Sequence, residues 1–264
     1  MLVILAILMF AVAVVFSILG QGGGVLYTPI QVWSGVDFHV AATTSLFLIM
    51  VMSLSASIVF RKAHKIDWPL VLVLESSTAV GGFVGGLWSS QFSGKALSVL
   101  FAALIAVAAY FMIRTFDLDR AREKQRRSLF SWQRQLGGQT YWVNLAVALP
   151  VSFAAGLVSG MVGVGGGILK VPLMVLLFGI PMDIAVGSSA LMVGITAAGG
   201  FAGHVASGHW DWRASLVLAV AVFAGGQIGS RLSLEIDKKK LKKGFGWFLV
   251  VIALMMLSRL WIGA

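Results

Sequence analysis

Apolar runs of about 18–22 residues recur along the chain between short polar loops, each long enough to cross a hydrocarbon core of about 30 Å as a helix. Few folds accommodate that pattern. A soluble core would need far more polar cover than a composition of 59% hydrophobic and 11% charged residues supplies. An outer-membrane barrel would need a series of short strands of alternating polarity, which the sequence lacks. The chain reads as an all-α polytopic membrane protein. Residues 1–20, "MLVILAILMFAVAVVFSILG", lack a basic leader and a small-residue cleavage site, so they are expected to remain as a membrane segment. The absence of cysteine excludes disulfides and thiolate chemistry. The net charge of +10 sits in loops between apolar runs, which suits lipid headgroups and not nucleic acid.

The chain also repeats itself. A shift of 144 carries Asp67-Trp68 onto Asp211-Trp212, Gly81-Gly82 onto Gly225-Gly226 and Thr44-Ser45 onto Ser188-Ser189. A shift of 143 carries Gly20, Gly22, Gly23, Gly24 and Pro29 onto Gly163, Gly165, Gly166, Gly167 and Pro172. Two membrane repeats, 1–114 and 141–264, follow from this, joined by a basic linker at 115–140. The linker is expected to be cytoplasmic, as an amphipathic connector on headgroups or a regulatory element.

Each half reads as a long apolar segment, a glycine loop, a short apolar segment and three more long ones. The expected positions are 1–20, 25–35, 40–60, 69–88 and 97–114, then 141–162, 168–180, 184–206, 213–231 and 244–262. As helices the short segments reach only about 16–20 Å. If they complete a crossing, each half has five passes and the halves are inverted. The loops at 61–68, 114–140 and 231–243 then share a side and carry three, seven and six basic residues, against Lys95, Arg213 and Arg259 opposite. The positive-inside rule favours this arrangement. Two inverted five-segment repeats with short discontinuous helices are a transporter pattern.

The glycine loops interrupt membrane sequence. Non-helical backbone at that depth is tolerated only inside protein or against a wet cavity. Each loop precedes a short helix whose N–H groups and positive dipole end face it, which suits an anion. Lys170 adds a full charge on the first turn of the second short helix, and Gln21 adds an amide in the first loop. A P-loop is excluded, because "GVGGGILK" has no Ser or Thr after its Lys and follows no strand. The alternatives are close helix packing for the glycines and snorkelling to headgroups for Lys170. Thr43, Thr44, Ser45, Ser188 and Ser189 open the following long helices, as caps or as ligands for substrate oxygens. Gly81xxxGly85, Gly82xxxGly86 and Gly225xxxGly229 are packing spacings. Glu75, in "VLVLESSTAV", is a coupling candidate, a partner for Lys170, or packed against Ser76, Ser77 and Thr78.

The paired Gly-x-Gly-Gly-Gly motifs with Pro29 or Pro172, the stretches "ATTSLFLIM" and "VGSSALMVG", and the Asp-Trp pairs resemble the TauE/SafE sulfite-exporter family. The resemblance spans nearly the whole chain except the linker. It implies a multi-pass secondary transporter of the bacterial inner membrane that moves small sulfur-containing anions, sulfite or organosulfonates. The family's small aliphatic residue near position 170 is here a lysine, which agrees with an anion.

The expected site therefore joins Gln21, Gly22, Gly23, Gly24, Gly163, Gly165, Gly166 and Gly167 as backbone or amide donors. It adds Lys170 as the charge and the five hydroxyl residues above, near the midplane between halves. No metal or cofactor is expected, since the four histidines have no ligand spacing. The expected partners are a small anion and the bilayer, and a homo-oligomer is compatible with the sequence. The other function classes are a passive anion channel and an intramembrane hydrolase using a serine and a histidine. Ser188 and His204 share one predicted helix about 24 Å apart, too far for that pair.

Overall fold

In lipid a backbone must bond its own polar groups, so the long apolar segments become helices. The computed structural model describes residues 2–21, 23–88, 129–162, 167–206 and 210–262, with scattered residues between 99 and 113. Helices α1 (Leu2–Ile18), α2 (Gly24–Trp33), α3 (Phe38–Lys62) and α4 (Trp68–Trp88) come first. Strands β1 (Ser131–Leu136) and β2 (Gln139–Asn144) follow. Then come α5 (Leu145–Val162), α6 (Gly167–Leu176), α7 (Met182–Ala206), α8 (Trp212–Glu235) and α9 (Lys238–Ile262). Val40–Lys62, Met182–Ala202 and Trp212–Glu235 are long and apolar enough to cross a membrane. The segment expected at 97–114 lies largely outside the described residues.

The chain forms two compact units, residues 1–66 with 186–235 and residues 67–185 with 236–264. In the first, α8 lies along α1. A Cβ on Gly225 would stand 2.7 Å from the Phe10 carbonyl oxygen, and one on Gly229 would collide with the Val14 carbonyl. In the second, α4 lies along α5. A Cβ on Gly81 would collide with the Phe153 carbonyl and stand 3.0 Å from the Leu157 nitrogen. Gly81 and Gly225 are repeat equivalents, and so are Phe153 and Phe10, and Leu157 and Val14. One backbone-to-backbone contact is therefore made twice, each time between a helix of one half and a helix of the other. Gly81 and Gly225 are packing residues, as their spacing suggested.

Three expectations change. The architecture is not purely helical: the end of the linker is an antiparallel hairpin, with Leu136 paired to Gln139 across a Gly137-Gly138 turn. Both glycines have positive φ, 55° and 74°, the backbone a two-residue hairpin loop demands. The second half's first helix begins at Leu145 and not at 141, because 139–144 form β2. The lysines after 237 are helical, since the Asp237 carboxylate accepts the N–H groups of Lys239 and Lys240 and starts α9 there.

Candidate functional site

Helix α6 starts at Gly167, directly after the second glycine run, and places Lys170 on its first turn. Gly163, Gly165 and Gly166 lie outside the described residues. Lys170 is 4% exposed, and its Nζ donates to Glu75 Oε2 of α4 at 2.7 Å. Glu75 is also 4% exposed. The lysine is inside protein, which removes the snorkelling reading, and of its two expected partners the structure shows Glu75. The hydroxyls beside Glu75 do not solvate it. Ser76 donates to the Val73 carbonyl, Thr78 to that of Leu74 and Ser77 to that of Leu149.

Burying two ions costs several kcal/mol each, so only a short, well-aligned pair is tolerated. The repeat framework does not require this one. At the same shifts Lys170 corresponds to Tyr27 and Glu75 to Ala219. Tyr27 is fully buried and its hydroxyl donates to Met52 Sδ at 3.3 Å. An uncharged version of the position therefore exists in the same chain.

The first glycine loop and the hydroxyl residues belong to the other unit. Helix α1 ends at a left-handed Gly20 (φ 67°), whose N–H bonds the Ser17 carbonyl while the Gln21 N–H reaches that of Phe16. Gln21 is buried. A Cβ on Gly20 would collide with the Val186 carbonyl, so this loop abuts the turn of α7 that carries Ser188 and Ser189. Gly23 caps α2 with φ 62°, and a Cβ there would meet the Tyr27 ring at 2.8 Å. No side chain caps that helix, which starts at Gly24; Gly22 is outside the described residues.

The hydroxyls are not caps. Helix α3 starts at Phe38 behind Asp37, whose carboxylate accepts the Val40 N–H, and α7 starts at Met182. Thr43–Ser45 and Ser188–Ser189 thus sit more than one turn inside their helices, and Thr44 and Ser45 bond sideways. Ser45 Oγ accepts from Gln31 Nε2 at 2.9 Å. Thr44 Oγ1 lies 3.1 Å from Ser215 Oγ, which also accepts from Trp210 Nε1 at 3.0 Å. Thr43, Ser188 and Ser189 are fully buried, and Ser189 Oγ has no hydrogen-bond partner among the described residues. Gln31, Trp210 and Ser215 were not foreseen, because nothing in local sequence marks a polar residue that a distant helix recruits.

The hairpin was missed for a different reason. Two polar-apolar runs, "SWQRQL" and "QTYWVN", flank Gly-Gly, a legible turn signal. Arg134 and Tyr141 face each other across the ladder and converge on Asp67. Arg134 donates to both carboxylate oxygens at 3.0 and 2.7 Å, and the Tyr141 hydroxyl donates at 2.6 Å. Burial, and then the hydrogen bond to Asp67, push the Tyr141 hydroxyl far above the usual tyrosine range. The hydrogen bond to Asp67 likewise raises Arg134. Asp67 Oδ1 also accepts the Leu70 N–H, capping α4, as Asp211 caps α8 through the N–H groups of Arg213 and Ala214. The Asp-Trp pairs are helix starts.

The sulfite exporter TauE/SafE family model matches residues 5–256. The chain belongs to the TauE/SafE family. It is 28% identical to the probable membrane transporter protein YunE of Bacillus subtilis, over 90% of this chain and 91% of that protein. A probable membrane transporter protein of Xylella fastidiosa is 26% identical, with 93% and 90% covered. YdhB of B. subtilis, also a probable membrane transporter protein, is 25% identical over 92% and 94%. No solved structure matches. As a TauE/SafE member the chain is a membrane transporter.

Proposed function

We propose that the protein is a multi-pass secondary carrier of small sulfur-containing anions, sulfite or an organosulfonate, across the bacterial inner membrane, exporting them when the internal concentration is the higher. The carrying observation is Lys170, a buried ammonium on the first turn of a short helix behind a glycine loop in a membrane transporter family. An intramembrane charge is costly and tends to mark a substrate or ion pathway. Backbone N–H groups of the glycine loops, the Gln21 amide and the hydroxyls of Thr43, Thr44, Ser45, Ser188 and Ser189 are the proposed donors to substrate oxygens. Inverted five-segment repeats are the proposed frame. The division of basic residues and the duplicated Gly81 and Gly225 contacts support it.

A thermal-shift series with sulfite, thiosulfate and methanesulfonate at pH 6 tests this. Ligand at a hundred times its Kd stabilises by about 2.7 kcal/mol, a measurable rise in Tm. The wild type should rise with at least one of them. Lys170→Met/Glu75→Gln, which carries no buried ion, should not. Equal shifts in both proteins, or none in the wild type, would remove Lys170 from the site.

A further inference from the structure

We propose that Glu75 and Lys170 make the site bind its anion together with one proton, so that a monoanion crosses without net charge movement. This rests on the anion reading above and adds its coupling ion.

In the structure one carboxylate and one ammonium, both buried, stand 2.7 Å apart and balance each other. A monoanion arriving alone would leave a net charge of minus one where each uncompensated ion costs several kcal/mol. A proton taken up on the Glu75 carboxylate removes that charge. The carboxylate becomes a neutral acid, its ionic contact to Nζ breaks, and the ammonium is left to the anion. The site holds one proton and one anion more than before and is neutral in both states. No electrons move.

Helices α4, α5 and α6 carry no titratable side chain besides Glu75 and Lys170. Ser76, Ser77 and Thr78 spend their hydroxyl protons on backbone carbonyls. Asp67, Arg134 and Tyr141 bond one another at the start of α4, about 12 Å along the helix from Glu75. In the same unit, Lys239, Lys240 and Lys243 are exposed at the start of α9, and Tyr110 is about half exposed. The neutral equivalents Tyr27 and Ala219 show that the fold itself does not call for the pair.

Methanesulfonate is the probe, because it stays a monoanion throughout the accessible pH range and any pH effect belongs to the protein. Adding it to wild-type protein in weakly buffered detergent should draw one proton from solution per anion bound. By linkage its affinity should then fall about tenfold per pH unit between pH 6 and 8. In proteoliposomes an acid exterior should drive its uptake, and clamping the membrane potential should not alter the rate. Lys170→Met/Glu75→Gln, which keeps neither ionisable group, should show neither anion binding nor proton uptake. Should that variant fail to fold, the wild-type proton count decides alone. Methanesulfonate or sulfite bound with no proton and no pH dependence overturns the coupling and leaves the anion reading standing. Neither anion bound at pH 6 overturns both. Net flux would follow the sum of the two gradients, so export needs an internal anion excess larger than any inward proton gradient.

Discussion

Replacing Lys170 by Met removes the ammonium at nearly constant volume and leaves the Glu75 carboxyl buried without its partner. The carboxyl then has to enter the folded protein as the neutral acid. For a side chain with the usual pKa of about 4.3, protonation at pH 7 costs about 3.7 kcal/mol. Glu75→Gln is the mirror case: an amine of usual pKa about 10.4 has to lose its proton, at about 4.6 kcal/mol. Both sit within the range of about 3–5 kcal/mol for breaking a buried pair. At about 2–4 °C per kcal/mol, each single variant should melt roughly 7–18 °C below the wild type.

The pH slopes separate the two. In Lys170→Met the folded form holds a proton that the unfolded chain releases, so stability falls by about 1.4 kcal/mol per unit as pH rises. In Glu75→Gln the unfolded chain holds the extra proton, so stability rises with pH by the same amount. The double variant buries no ion and should recover most of the wild-type Tm with a flat profile. Thermal unfolding in detergent from pH 6 to 8 measures all four proteins. Single variants as stable as the wild type, or a double variant less stable than either, would refute the pairing argument.

Two further outcomes follow from the hairpin and the charge distribution. Tyr141→Phe leaves a buried carboxylate one donor short and should cost about 1.5–3 kcal/mol, read as a lower Tm. Cysteines introduced at Gln125 and Lys239 in this cysteine-free chain should both resist an impermeant maleimide in intact cells; labelling of one alone would refute the inverted arrangement.

Sequence alone determined that the chain is a helical membrane protein, because the length and polarity of a segment settle whether lipid accepts it. It also located both glycine-led short helices and the packing glycines, since a repeat shows itself as register and a close approach as spacing. Helix starts were less legible. Thr43–Ser45 and Ser188–Ser189 look like caps in one dimension, yet Asp37 caps α3, and Ser45 and Thr44 bond Gln31 and Ser215 of neighbouring elements. The hairpin was within reach of its Gly-Gly turn, but the long polar linker around it read as connector.

What only tertiary structure decided was partnership. Lys170 and Glu75 are 95 residues apart, and Asp67 and Tyr141 are 74 apart. Glu75 lies on α4 and Asp67 caps it, and each meets a partner brought in by a separate element, α6 or the hairpin. Periodicity and propensity act within a turn or two of chain, whereas a buried charge is satisfied by whatever the packing brings within about 3 Å. One sequence can show that Lys170 needs a partner; only the side-chain contact from α6 to α4 shows which.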